Sequence, residues 1–224
     1  MILMFDLDDT LYNEKDYVDS GILAVAKYGE DRFGWNVSDS FDYMQTVLNQ
    51  FGRGKIFDLW LTSHGRFSRS LVIECVKTYR HHTPSLKLAS DVKEILAQLS
   101  SRYSLYLITD GHKIVQKKKV EALEISSFFK KILITHRYGT RHAKPSTYCF
   151  GIIKNKENCS WQDMLYVGDN PNKDFVNLKP LGVKTVRILN GAYKDQCFEK
   201  KLDGDYKINH LSELPKLINI LEKK

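Results

Sequence analysis

Residues 1–12 read MILMFDLDDTLY. The apolar run Ile2–Leu7 predicts a buried strand. Asp6, Asp8 and Asp9 crowd its exit. Carboxylates so close repel one another, and proteins gather them where a cation or a reaction compensates. On an extended backbone, residues two apart point to the same side, so Asp6 and Asp8 share a side. Asp9 faces away or sits in the turn, a structural position. The tip of this first strand is where the function begins.

Beyond the tip, helical periodicity runs from about Glu14 to Tyr79 and is broken by Gly29, Gly34, Gly52, Gly54 and Gly65. That punctuation predicts roughly four helices. Pro84 marks the return to alternating elements. A helix capped by Ser90 or Asp91 carries Val92, Ile95, Leu96 and Leu99. The segment Tyr103–Ile108 is a strand ending in Thr109-Asp110-Gly111, followed by a helix through Leu123. Ile132–Thr135 is a short strand. Pro145 is expected to open a helix to about Lys154, as a first-turn proline. Met164–Val167 is a strand ending in Gly168-Asp169-Asn170, followed by a helix to Leu178. Val183–Ile188 is a strand, and Leu211–Leu221 is a last helix.

Strands separated by helices imply βαβ units, hence an α/β fold with a Rossmann-like parallel sheet and helices on both faces. In such sheets ligands bind beyond the carboxyl ends of the strands. Three strand ends here carry polar motifs, DLDDT, TDG and GDN, which converge on one crevice. The domain expectation is a core of residues 1–13 and 84–224, with 14–83 inserted as a helical cap that can act as a lid. Asp6, Asp8, Asp169 and Asp174 around one crevice call for a hard divalent cation such as Mg2+, which takes one or two carboxylates together with substrate phosphate. Lys144 adds positive charge. Thr109 and the main-chain N–H groups of Asp110 and Gly111 can donate to phosphate oxygens at a helix start.

The ordered set resembles the haloacid dehalogenase (HAD) superfamily of phosphohydrolases, over essentially the whole chain. The family's DxDx[TV] motif matches Asp6-Leu7-Asp8-Asp9-Thr10. Its strand-ending Ser/Thr matches Thr109, its Lys matches Lys144, and its GDxxxxD motif matches residues 168–174. The resemblance implies that Asp6 is a nucleophile forming an aspartyl-phosphate, and that Asp8 is general acid and then general base. It implies phosphoryl binding by Thr109 and Lys144, with Lys144 also steadying Asp6. It implies Mg2+ held by Asp6, the backbone carbonyl of Asp8 and Asp169, with Asp174 ligating directly or from behind. The insert resembles the C1-type cap that shapes substrate choice. The implied activity is a Mg2+-dependent phosphatase on a small phosphomonoester, a sugar phosphate or nucleoside monophosphate. A phosphomutase of the β-phosphoglucomutase type is the alternative. Asp8 argues against 2-haloacid dehalogenase chemistry, whose family members lack that second Asp. The long insertion after the first strand argues against a phospho-acceptor receiver.

Composition narrows the partners. The chain has 224 residues and a net charge of +7, with 42% hydrophobic residues, enough for a real core. No apolar run reaches the ~18 residues that span a bilayer, and no signal-peptide pattern opens the chain. The expectation is a cytoplasmic protein binding a small phosphorylated metabolite, with no membrane or nucleic-acid partner. Cys75, Cys149, Cys159 and Cys197 form no CxxC pair and are expected to be free, buried thiols. The run Lys117–Lys119 is expected on a solvated helix face. Asn170 is either a turn residue or a site contact. Tyr12 and Asn13 suit a hinge, packing or substrate contact, and His112 and His142 lie near motif residues. The Gly52-Arg53-Gly54-Lys55 segment is expected to be a turn rather than a phosphate loop.

Overall fold

The computed structural model describes residues 1–223. Its strands are β1 (Ile2–Phe5), β2 (Ser104–Thr109), β3 (Lys131–Ile134), β4 (Met164–Gly168), β5 (Lys184–Ile188) and β6 (Tyr206–Ile208). Its helices are α1 (Glu14–Phe33), α2 (Val37–Phe51), α3 (Ile56–Ser63), α4 (Arg69–His81), α5 (Ser90–Ser100), α6 (Lys113–Ala122), α7 (Tyr148–Glu157), α8 (Pro171–Asp174) and α9 (Leu214–Leu221). The chain divides into two compact units. One is Met1–Glu14 with Lys87–Lys224, and the other is Lys15–Leu86.

The first unit holds a six-stranded sheet in the order β3-β2-β1-β4-β5-β6, every pairing parallel. β1 is central, with Ile2 opposite Ser104 on one side and Met164 on the other. Both faces are buried, which is why the strands read as continuous apolar runs. Ile2, Met4, Tyr106, Ile108, Met164 and Tyr166 pack with Cys149, Phe150 and Ile153 of α7. The alternate set, Leu3, Phe5, Leu105, Leu107, Leu165 and Val167, is buried on the other face. The strand order reverses between β1 and β4, and such a switch point opens a crevice at the strands' carboxyl ends.

The second unit is four helices, α1 to α4, around Ile22, Val25, Ala26, Met44, Trp60, Leu61 and Cys75. Asn36 and Ser68 cap α2 and α4 by accepting from the N–H groups of Asp39 and Leu71. Gly29 does not break a helix as its sequence position suggests. It lies within α1, where a Cβ would sit 2.7 Å from the Trp60 ring, so its role is close packing. The Gly52–Lys55 segment is a turn: Gly52 closes α2 at φ 71°, and Arg53–Lys55 form one 3-10 turn.

Several local expectations need correction. Pro145 does not start a helix; its peptide bond to Lys144 is cis, and Ser146 N–H closes a turn onto Ala143 O. That turn delays α7 to Tyr148. The helix after Asn170 is four residues long rather than reaching Leu178, because the backbone opens to φ −118° at Phe175 and continues in turns. The N-cap position of α5 is Ala89 rather than Ser90 or Asp91, while Asp91, inside the first turn, accepts from the Val92 N–H at 2.9 Å. Strand β6 was not expected; three residues are too few to show a period. The four cysteines are free, but only Cys75 and Cys149 are buried. Among the described residues, no helix is long and apolar enough to cross a membrane.

Candidate active site

The sheet brings the predicted motifs to one end. Asp6 extends β1, its N–H donating to Val167 O of β4 at 2.9 Å. Phe5 pairs with Leu107 and Val167, so Asp6 leaves β1 level with Ile108 and Gly168 and beside Thr109 and Asp169. Lys144 reaches in from the turn before α7. Its Nζ donates to Asp6 Oδ1 at 2.6 Å and to Asp174 Oδ1 at 2.9 Å, and it is buried. Asp174 is spent on anchoring: Oδ1 also accepts from Tyr166 OH at 3.0 Å, and Oδ2 from Asn170 N–H at 3.0 Å. Gly168 makes room for it, since a Cβ there would lie 2.5 Å from Asp174 Oδ2.

Asp6, Asp169 and Asp174 are all buried and offer ligand oxygens within 4.8 Å of one another. Burial pushes the Asp6 carboxyl up to about 7, against the pull of Lys144 and with the push of Asp174 and Asp8. Burial, then the Asp174 and Asp6 charges, pushes Asp169 up to about 9. Burial works against the charged Lys144, but Asp174 and Asp6 outweigh it and hold its ammonium above the ordinary lysine range. With all three ionised, the one ammonium leaves negative charge in excess. All-oxygen donors with excess negative charge fit a hard divalent cation. The Asp8 side chain does not join this cluster.

Thr109 Oγ1 is buried and, among the described residues, has no hydrogen-bond partner. A buried hydroxyl left unsatisfied is unfavourable unless something else occupies it, and a phosphoryl oxygen would. Asp110, read from the sequence only as a main-chain donor, organises the site through its side chain. It accepts from Thr135 Oγ1 at 2.6 Å and from the Lys144 N–H at 3.1 Å, and lies 3.2 Å from Lys173 Nζ. Burial alone would raise its carboxyl, but these bonds and charges hold it below the usual range. His112 takes the N-cap position of α6.

Asp8 points toward α6. It accepts from Tyr12 OH at 2.7 Å, Lys119 Nζ at 2.7 Å and Gln116 Nε2 at 2.9 Å. Lys119 is therefore not on a solvated face as its lysine run suggests; it is buried between Asp8 and Glu14, 3.4 Å from Glu14 Oε1. The signal lay in helix phase: Gln116, Lys119, Val120 and Leu123 fall on one stripe, and all four are buried. Lys117 lies off that stripe and is exposed.

The remaining residues have structural places. Asp9, at φ 52°, accepts from the Glu14 N–H at 2.9 Å and so caps α1. Asn170 caps α8 by accepting from the Asn172 N–H. His142 stacks on Tyr148 with ring centroids 3.8 Å apart.

Residues 3–188 match the haloacid dehalogenase-like hydrolase family. A glyceraldehyde 3-phosphate phosphatase from Methanocaldococcus jannaschii is 31% identical, over 99% of this chain and 98% of its own. The human N-acylneuraminate-9-phosphatase is 26% identical, over 99% of this chain and 95% of its own. Among solved structures, a HAD-hydrolase from Bacillus subtilis aligns with a TM-score of 0.70 at 17% identity, covering 97% of this chain and 98% of that one. A 2-haloacid dehalogenase from Pseudomonas syringae aligns with a TM-score of 0.68 at 19% identity, covering 99% of this chain and 100% of that one; at such identity the likeness is one of fold.

Proposed function

The chain belongs to the haloacid dehalogenase-like hydrolase family and is a phosphoric monoester hydrolase, and we propose that it releases phosphate from small sugar phosphates through a phosphoaspartyl intermediate on Asp6. The observation that carries this reading is the buried Asp6 carboxylate held 2.6 Å from Lys144 Nζ, beside Asp169 and Asp174. Phosphatases of small phosphorylated sugars among the relatives support the substrate class.

In the first step an Asp6 carboxylate oxygen attacks phosphorus. The ester P–O bond breaks as the leaving oxygen takes a proton from Asp8. In the second, Asp8 removes a proton from water, the water oxygen attacks phosphorus, and the bond to Asp6 breaks. Lys144 and Thr109 hold the phosphoryl oxygens, and Lys144 keeps Asp6 aimed. Asp6 and Asp169, with the Asp8 carbonyl, would hold Mg2+, and Asp174 serves from behind by fixing Lys144. The bound cation supplies charge neutralisation for the transferring phosphoryl group. Within the same proposal residues 14–83 act as a cap that selects the substrate. The insert departs directly after the Asp6–Asp8 motif.

The test is phosphate release from glyceraldehyde 3-phosphate and p-nitrophenyl phosphate with and without Mg2+, in the native chain and in Asp6→Asn. Release that needs Mg2+ and vanishes in Asp6→Asn is expected. Full activity in Asp6→Asn overturns the proposal.

A further inference from the structure

We propose that Gln116 and Lys119, one turn apart on α6, are positioning residues that aim the Asp8 carboxylate; this rests on the acid–base role given to Asp8 above. The two donors divide the carboxylate between them. Lys119 Nζ meets Oδ1 at 2.7 Å and Gln116 Nε2 meets Oδ2 at 2.9 Å, so rotation about the carboxylate is blocked from both oxygens. Tyr12 OH adds a third donor to Oδ1 at 2.7 Å.

The orientation of the Gln116 amide is dictated by its surroundings. Nε2 faces two acceptors, Asp8 Oδ2 and Asp110 O at 2.8 Å, so only the NH2 group can point there. Its Oε1 is thereby left buried with no hydrogen-bond partner among the described residues. The amide therefore satisfies Asp8 Oδ2 and Asp110 O at the expense of its own oxygen.

Gly111 is part of the same arrangement. At φ 136°, it would place a Cβ 2.9 Å from Gln116 Nε2. The glycine of the TDG motif thus leaves space for the amide that reaches Asp8. Through Asp110 O the amide also ties Asp8 to the loop after β2, whose Asp110 side chain holds the Lys144 N–H. The acid–base group and the turn bearing Lys144 are joined by one short chain of hydrogen bonds.

Aryl phosphates separate this role from a structural one. Nitrophenolate leaves without a proton, whereas phenolate leaves more readily when an aimed acid protonates it. kcat/KM covers the steps up to departure of the phenol. In Lys119→Met it is expected to fall about 10–100-fold on phenyl phosphate and to change little on p-nitrophenyl phosphate. Lys119→Arg is expected to restore most of the loss. Gln116→Met, which keeps the length of the side chain and removes the donor, is expected to show the same split and serves if Lys119→Met does not fold, as thermal melting will report. An equal loss on both substrates overturns the proposal. Asp8→Ala separates the two levels of argument. No split in Asp8→Ala removes the acid–base role itself. A split there, with none in Lys119→Met or Gln116→Met, removes only the positioning role.

Discussion

At the scale of single residues, the site is organised by Lys144. Its ammonium lies between Asp6 and Asp174, and both contacts are buried. Removing one partner of a buried ion pair costs about 3–5 kcal/mol, since the others stay charged and unpaired. Lys144→Met is expected to lower the melting temperature of the metal-free protein sharply. Saturating Mg2+ should then recover more stability in the variant than it adds to the native chain, because the cation takes over the neutralisation. Equal gains in the two would contradict this. Thr109 makes the opposite trade. Its buried Oγ1 has no partner among the described residues, so Thr109→Val should leave stability unchanged or raise it by about 1 kcal/mol while phosphatase activity falls. Denaturant melts paired with phosphate-release assays check both halves. Both residues were legible in the sequence, Thr109 at a strand end opening Thr-Asp-Gly and Lys144 just before a proline. Asp110 was legible only as a backbone donor, because the partners of its side chain, Thr135 and the Lys144 N–H, lie 25 and 34 residues away.

At the scale of elements, the far half of the sheet depends on one buried cation. Arg187, one residue before the end of β5, is buried and donates through Nη1 to Asp203 Oδ1 at 3.2 Å. Its Nη2 reaches the carbonyls of Tyr193 and Gln196, which ties the loop between β5 and β6 to the strand. Burial would raise the Asp203 carboxyl, but Lys207 and Arg187 hold it below the usual range. A carboxyl lowered by folding contributes stability above its unfolded value, and that contribution is lost as the pH falls through the folded value. Asp203→Ala should cost about 3–5 kcal/mol by leaving Arg187 uncompensated, and should remove part of the acid sensitivity seen in melts below about pH 4. A variant with unchanged acid sensitivity would show that the pair carries none of it. Nothing in the sequence points to this pairing. An arginine within an apolar strand looks like an edge residue until the loop that covers it is known.

At the scale of the whole molecule, the carboxylate cluster couples metal binding to pH. Asp6 and Asp169 are raised from 3.8 in the unfolded chain to about 7 and about 9. Carboxyls raised in this way bind protons more tightly when folded. Their contribution to metal-free stability is therefore full below about pH 4 and is lost as the pH climbs through the folded values. On the proposed function, a divalent cation would replace those protons. The gain in melting temperature on adding Mg2+ should accordingly widen from pH 5 to pH 9, and Mg2+ binding should release protons to the buffer in calorimetry. A gain independent of pH would argue against binding at this cluster.

The sequence by itself determined where the polar motifs lie along the chain: an apolar run ending in Asp6 and Asp8, a second ending in Thr109, Lys144 before its proline, and Asp169 with Asp174. These are local patterns, set by alternation and short spacing, and they survive in the linear text. Only the tertiary structure decided what the charges between the motifs do. Lys119 sits in a run that reads as solvated, yet it is buried against Asp8, 111 residues away. Helix phase marks position 119 as inward-facing, but the distant carboxylate that makes a buried ammonium tolerable there is not written in its neighbours. For the same reason Asp9, adjacent to Asp8 in the chain, leaves the carboxylate cluster to cap α1, while Asp174 turns inward to hold Lys144.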